Sequence, residues 1–432
     1  MIGTPVLHLL RTACIPLLCA TLLACGGSGT SGDTGAPPDG GSVPTPPPPG
    51  ARKALNSYTS DDQQRPVVAS NTRGDAVVAW ESMGQDGSHL GIFAQRLRNG
   101  QPEGAEFQVN QYTDSRQSFV TAAMDAQGGF VIAWRSSLQG SPGGTIFGQR
   151  FAADGSRAGS EFRIGPNDSD RDSQSEPQMA MTPSGDFVVV WSNREISRLN
   201  EQLGQNQNEE RWLEARTYFA DGTARAGPKR ITETSTDAGT RLPRVAVDAQ
   251  GRIAFAWPNG TANGTVVRAR HFDLDLNPLT PAYSVASATA AVDVDQPSLA
   301  INDTGAFAIT WETYTYGNRP LGLMTQRFSA PQAAQGEPIL IASPDSGLIE
   351  RTSTALGADG TLWVAAHGQD QVWLTTQTGT SPSTAVRRLS TPGFASLFPN
   401  IRLNGENTAL VAWQSWMEDG DRRGIRAEQV SR

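Results

Sequence analysis

Past residue 25 the chain has no cysteine, because Cys14, Cys19 and Cys25 all crowd into its first 25 positions. No pairing among them can staple a folded domain, and no redox pair or zinc cluster can be assembled downstream. Lysine is nearly missing, standing only at Lys53 and Lys229, so the basic complement is arginine; we read this as a codon-composition effect. Three histidines follow the N-terminal segment, His89, His271 and His367. They lie far apart in sequence, offer no metal-ligand spacing, and read as turn or surface positions. Only 18% of residues are charged, and the formal net charge is -8. Removal of a leader containing Arg11 makes that balance more negative still, which argues against nucleic acid as a partner.

What the chain has in quantity is 45 Gly and 28 Pro beside 38% hydrophobic residues. This suits many short strands joined by tight turns, and closed all-β folds often exceed average domain length, so 432 residues allow one large domain.

Residues 12 to 24 (TACIPLLCATLLA) form an apolar run behind Arg11. It is short for a bilayer span and suited to the central region of a signal peptide. The run ends at Leu22-Leu23-Ala24-Cys25-Gly26. This resembles the lipobox of bacterial lipoproteins, in which the cysteine carries acyl chains and becomes the mature N-terminus. The resemblance implies cleavage after residue 24 and lipid attachment, palmitate included, at Cys25. Gly26 in place of Asp resembles outer-membrane sorting, so the expected location is the cell envelope, anchored to the outer membrane without any spanning helix. Residues 26 to 50 (GGSGTSGDTGAPPDGGSVPTPPPPG) combine a Gly/Ser stretch with a proline run and read, with Cys25, as a tether.

From residue 54 onward a turn glycine is followed six residues later by tryptophan, as in Gly74 to Trp80, Gly128 to Trp134, Gly185 to Trp191, Gly251 to Trp257 and Gly305 to Trp311. A sixth copy, Gly360 to Ala366, loses the tryptophan, and a seventh runs through Trp413 with an altered turn. The tryptophan steps of 54, 57, 66 and 54 residues are those of propeller blades or solenoid units. Each repeat holds four strand-like runs, in the first Val67–Ala69, Ala76–Trp80, Ile92–Leu97 and Glu106–Val109. A small residue recurs in the third run, at Ala94, Gly148, Ala215, Ala269, Thr325, Thr375 and Ala427, where neighbouring sheets can approach closely.

The seventh repeat stops after its third strand. The missing fourth lies at the other end, where Leu55-Asn56-Ser57-Tyr58-Thr59 matches Val109-Asn110-Gln111-Tyr112-Thr113. A ring needs its first and last elements in one sheet, whereas a solenoid has no use for such a permutation. The expected fold is therefore all-β, a seven-bladed β-propeller of four-stranded blades over residues 51 to 432, closed by the N-terminal strand.

The repeat is similar to one found in many copies in large secreted bacterial proteins and surface adhesins. The residues that carry the likeness are Gly84-Gln-Asp-Gly-Ser88, Gly91-Ile92, Ala94-Gln-Arg96 and Glu106-Phe-Gln-Val-Asn110. It implies an extracytoplasmic surface module and brings no defined activity.

In such a ring the loops between blades and the second-to-third-strand loops share one face, the default site for a ligand. Candidate contacts there are Tyr58, Tyr112, Tyr314, Tyr316, Phe398 and Trp416, aromatics able to stack on sugars or anchor a protein. The third repeat's loop swells between Asn193 and Arg211. Asp168, Asp170 and Asp172 alternate as in a calcium loop, but Ser173 stands where such loops need glycine and no glutamate closes the set. They read better as solvated turn carboxylates, so no cofactor is expected. The Asp359 to Trp363 run resembles the Asp-box of sialidase propellers but lacks its serine and spacing. No G-x-S-x-G elbow, H-E-x-x-H or P-loop is present. The sequence thus predicts a non-enzymatic envelope lipoprotein whose propeller face binds or scaffolds another protein; a glycan-binding lectin, or less favourably a polysaccharide or sialic-acid hydrolase, is the alternative.

Overall fold

A computed structural model describes residues 53–140, 143–166, 173–196, 209–232, 240–315, 320–342, 350–379, 386–418 and 420–432. Cys25, the tether, Asp168, Asp170, Asp172 and Tyr316 lie outside the described residues.

Seven antiparallel sheets account for the strands. In blade 1 the order from the axis outward is Gln63–Ser70, Asp75–Met83, Leu90–Arg98 and Gln101–Gln108, and the following blades repeat it. Blade 5 carries two short outer segments, Ala333–Ala334 and Ile339–Ala342, on its third strand. Blade 7 is Ser396–Leu403, Thr408–Trp416 and Arg423–Ser431 with Lys53–Ala54 at its edge, registered Lys53 to Ala427 and Ala54 to Arg426. The first strands of neighbouring blades face one another around the axis. The expected seven-bladed propeller, closed by the N-terminal strand, is the observed fold.

The blades pack through seven apolar clusters, one in each gap. In six of them the signature tryptophan of one blade lies over the small residues of the blade before it. Trp134 meets Ala79 and Ala94, Trp80 meets Ala412 and Ala427, and Trp257 meets Ala215. The seventh gap holds Ala366 instead, packed among Leu323, Ile341 and Leu356. In the five intact copies the glycine six residues before the tryptophan occupies the turn from first to second strand. At Gly185 φ is +97° and an added Cβ would stand 2.9 Å from the Cβ of Ala220, so both backbone and space call for glycine.

Two expectations change. His271 and His367 are buried strand residues, because each continues a second or third strand into a gap between blades; only His89 is exposed. The insertion of blade 3 is not all loop: Asn193–Ile196 pair with Glu209–Trp212 and lengthen the hairpin.

Candidate functional site

In every blade the backbone turns left-handed at the same place, within the first strand or, in blade 4, just before it. The residues Arg65, Phe119, Glu176, Leu242, Gln296, Arg351 and Phe398, one per blade, all have φ between 48° and 56°. In six blades the strand register skips there, for example between Gln64 and Val67 and between Asp295 and Ser298. This is a β-bulge repeated around the axis, and bulges re-aim a side chain. In five copies proline follows (Pro66, Pro177, Pro243, Pro297, Pro399), which a continuous inner strand would not accommodate. None of the seven is glycine, although a left-handed backbone costs other residues on the order of 1–3 kcal/mol. Such strain gathers where side chains serve a purpose.

In four blades the residue after the signature tryptophan bonds to the next blade's bulge or the strand leading into it. Glu81 Oε1 accepts the N–H of Phe119 at 2.7 Å, and Gln414 Oε1 that of Arg65 at 3.0 Å. Glu312 Oε1 accepts the N–H of Arg351, and Arg135 Nε donates to the carbonyl of Gln174 at 3.0 Å. Within the bulge ring itself, Glu176 Oε2 accepts the N–H of Leu242 at 2.9 Å.

The bulges surround one mouth of the axial channel, a well of about 460 Å³. Five arginines (Arg65, Arg241, Arg244, Arg351, Arg402) against three carboxylates (Glu81, Glu176, Asp295) line it, a local positive excess in an acidic protein. Below, a second chamber of about 580 Å³ leads to the opposite face; it shares Val245, Leu299, Thr354 and Arg402 with the mouth and adds Met124, Met179 and Met181. The two cavities meet at these four shared residues along the axis.

The mouth is polarised. On the side of blades 3 to 5, Arg244 stands among Glu176, Glu312 and Asp295; burial draws its guanidinium below the ordinary arginine range, and the first two carboxylates oppose that most strongly. Asp295 lies opposite Glu312 in the strand pair. Burial raises its carboxyl above the usual aspartate value, against the N–H of Gln296 at 2.7 Å and Arg241 at 3.8 Å. Glu176 holds both its contacts, the N–H of Leu242 and the hydroxyl of Ser192 at 3.4 Å, on one oxygen. On the side of blades 6, 7, 1 and 2, Arg351, Phe398, Arg65 and Phe119 form a continuous arc. Its guanidinium-to-ring-centre distances are 4.5 Å (Arg351 to Phe398), 5.9 Å (Arg65 to Phe398) and 5.1 Å (Arg65 to Phe119).

Of the expected aromatics among the described residues, only Phe398 lines the well. Tyr314 stands beside it, donating its hydroxyl to Glu312 and receiving the amide of Gln296 at 3.5 Å. Trp416 is 43% exposed on the outer hairpin of blade 7, under the Arg423 guanidinium. Arg422 and Arg423 pair with Asp61 and Asp62, so Trp416 belongs to the rim where blade 7 meets the loop that begins at Tyr58. Tyr58 and Tyr112, both half-buried, occupy equivalent places on the loops approaching blades 1 and 2. Sequence reasoning missed the arginines, Glu81, Glu176, Asp295 and Phe119. The signal was the recurrent X-Pro dipeptide inside an otherwise apolar strand, which marks the bulge and names the residue it presents.

The sequence matches no family model and no curated protein. Among solved structures the chain is similar to a polysaccharide lyase (TM-score 0.55, 9% identity, 84% of this chain and 90% of that one). It is also similar to an alpha-L-arabinanase of Penicillium chrysogenum complexed with arabinobiose (TM-score 0.50, 12% identity, 72% and 93%). A protein of unknown function from Dyadobacter fermentans is covered end to end (TM-score 0.50, 9% identity, 89% and 100%). At these identities the likeness establishes the propeller fold. The expectation of a non-enzymatic scaffolding face is corrected here: similar propellers of stated activity act on glycans, and the face itself is an open, charged well.

Proposed function

We propose that the protein is a glycan hydrolase whose active site is the mouth of the axial channel. The observation that carries this reading is that Glu176 and Asp295 line one open well with Arg244 between them, while burial raises the Asp295 carboxyl. Hydrolysis of a glycosidic bond needs a carboxylic acid that keeps its proton and a second carboxylate across the bond. Asp295 supplies the first: its proton goes to the leaving oxygen as the bond to the anomeric carbon breaks. Glu176 supplies the second, taking a proton from the water that attacks that carbon. Its contacts with Leu242 and Ser192 fix one oxygen and leave the other for water. With Glu176 activating water across the bond from Asp295, the reaction proceeds with inversion. Elimination, as in a lyase, fits less well, since the described residues lining the well include no His, Tyr or Lys to serve as base.

The lipobox-like sequence supports a place at the cell envelope; palmitate labelling that is lost in Cys25→Ala tests that anchor. The hydrolase reading is tested by incubating the purified protein with arabinan, homogalacturonan and sulfated galactans and following reducing ends. Asp295→Asn and Glu176→Gln are each expected to lower the rate about 10²- to 10⁴-fold with the fold retained. Unchanged rates in both variants would remove the assignment.

A further inference from the structure

We propose that the arc Arg351–Phe398–Arg65–Phe119 is a subsite for an anionic sugar, so that the glycan taken by this well carries carboxylate or sulfate groups. The inference rests on the glycan reading above and adds to it the substrate class. Four blades contribute one side chain each, all from the bulge position, and two guanidiniums alternate with two phenyl rings. A ring that takes a guanidinium on its face holds the charge by cation–π attraction and leaves the in-plane N–H groups to bind an anion in a fork.

Arg65 has only a long carboxylate contact, 3.8 Å to Glu81, which is itself engaged by the N–H of Phe119 and the amide of Gln64. Arg351 is exposed on the same wall. A purely structural arginine belt would not require left-handed backbone at each of these positions. The same bulge across the well presents Glu176, Leu242 and Gln296, so among the bulge side chains the positive ones lie only on the arc, while Arg241 and Arg244 on the carboxylate side already face Asp295 and Glu176. A sugar whose anionic group sits on the arc is thereby turned with its glycosidic bond toward the carboxylates. Phenyl rings between the guanidiniums offer apolar faces to the C–H faces of the sugar, which a neutral protein partner or a free inorganic anion would not need.

The test is calorimetric titration of the full-length protein carrying Glu176→Gln, so that cleavage does not interfere. The probes are an oligogalacturonate, a sulfated galactan oligosaccharide and a neutral arabino-oligosaccharide. At least one acidic probe is expected to bind about tenfold or more tightly than the neutral one, and Arg65→Gln and Arg351→Gln each to lose about tenfold for that probe alone. Arg65→Lys, which keeps the charge and loses the fork, is expected to recover part of the affinity, and this separates a binding role from a folding defect. The two acidic arms tell carboxylate from sulfate. Equal affinity for neutral and acidic probes, or acidic binding indifferent to both arginines, overturns the subsite even if the wild-type protein cleaves glycans. Acidic-probe binding that needs both arginines, without cleavage by the wild type, leaves the subsite standing and overturns the hydrolase reading.

Discussion

Asn56 Oδ1 accepts the backbone N–H of Ile425 at 2.8 Å, joining the two ends of the chain inside blade 7. Asn110 makes the same bond within blade 1, to Ile92 at 2.7 Å, and both asparagines donate to a carbonyl two residues on, of Tyr58 and Tyr112, at 3.0 Å. The chain end is thus a true copy of a fourth strand. Asn56→Ala leaves a buried donor and a buried acceptor unmatched and should cost about 1–3 kcal/mol in chemical denaturation, with Asn110→Ala costing the same. A much smaller loss at Asn56 than at Asn110 would mean that closure depends on other contacts.

The tryptophans divide by position. Trp134 is fully buried over Ala79 and Ala94, and truncation to alanine should cost about 3–5 kcal/mol through the cavity left in the gap. Trp416 is exposed, and its truncation should stay within about 0.5 kcal/mol. Denaturation midpoints of the two variants check the pair.

Burial lowers both His271 and His367 from 6.5 to about 4. Between those values the unfolded chain binds more protons than the folded one, so stability is present above pH 6.5 and lost as pH falls toward 4. The loss is about 3 kcal/mol for each histidine. His271→Gln should flatten the stability profile across this window, measured by urea denaturation at several pH values. A slope that persists in the double variant with His367→Gln would place the acid sensitivity elsewhere.

The architecture was legible because each local rule repeats: the glycine fixes a turn, the tryptophan fills a gap, the small residue makes room, and the Asn56 and Asn110 segments share a pattern. The repeat motif also proves structural. Gln95, Gln149 and Gln326 each donate to the carbonyl of the following arginine and to a glycine carbonyl of the next turn, and those arginines, Arg96, Arg150 and Arg327, reach carbonyls of the following blade. The well was not legible for the complementary reason. Its residues differ from blade to blade, so Arg65, Phe119, Glu176 and Arg351 break the very pattern that reveals the repeat. Reading arginine as a matter of composition hid the five that meet at the axis. Only the ring brings Glu176 and Asp295, 119 positions apart, to one cavity.

The most direct measurement is a proton NMR time course of the anomeric signals while the wild-type protein acts on the best-cleaved polysaccharide of the panel. Water attacking from the Glu176 side while Asp295 protonates the leaving oxygen gives the inverted anomer first, and the signal should vanish in Glu176→Gln. A first-formed product of retained configuration, an unsaturated product with a vinyl proton, or no product from any polysaccharide would contradict the account.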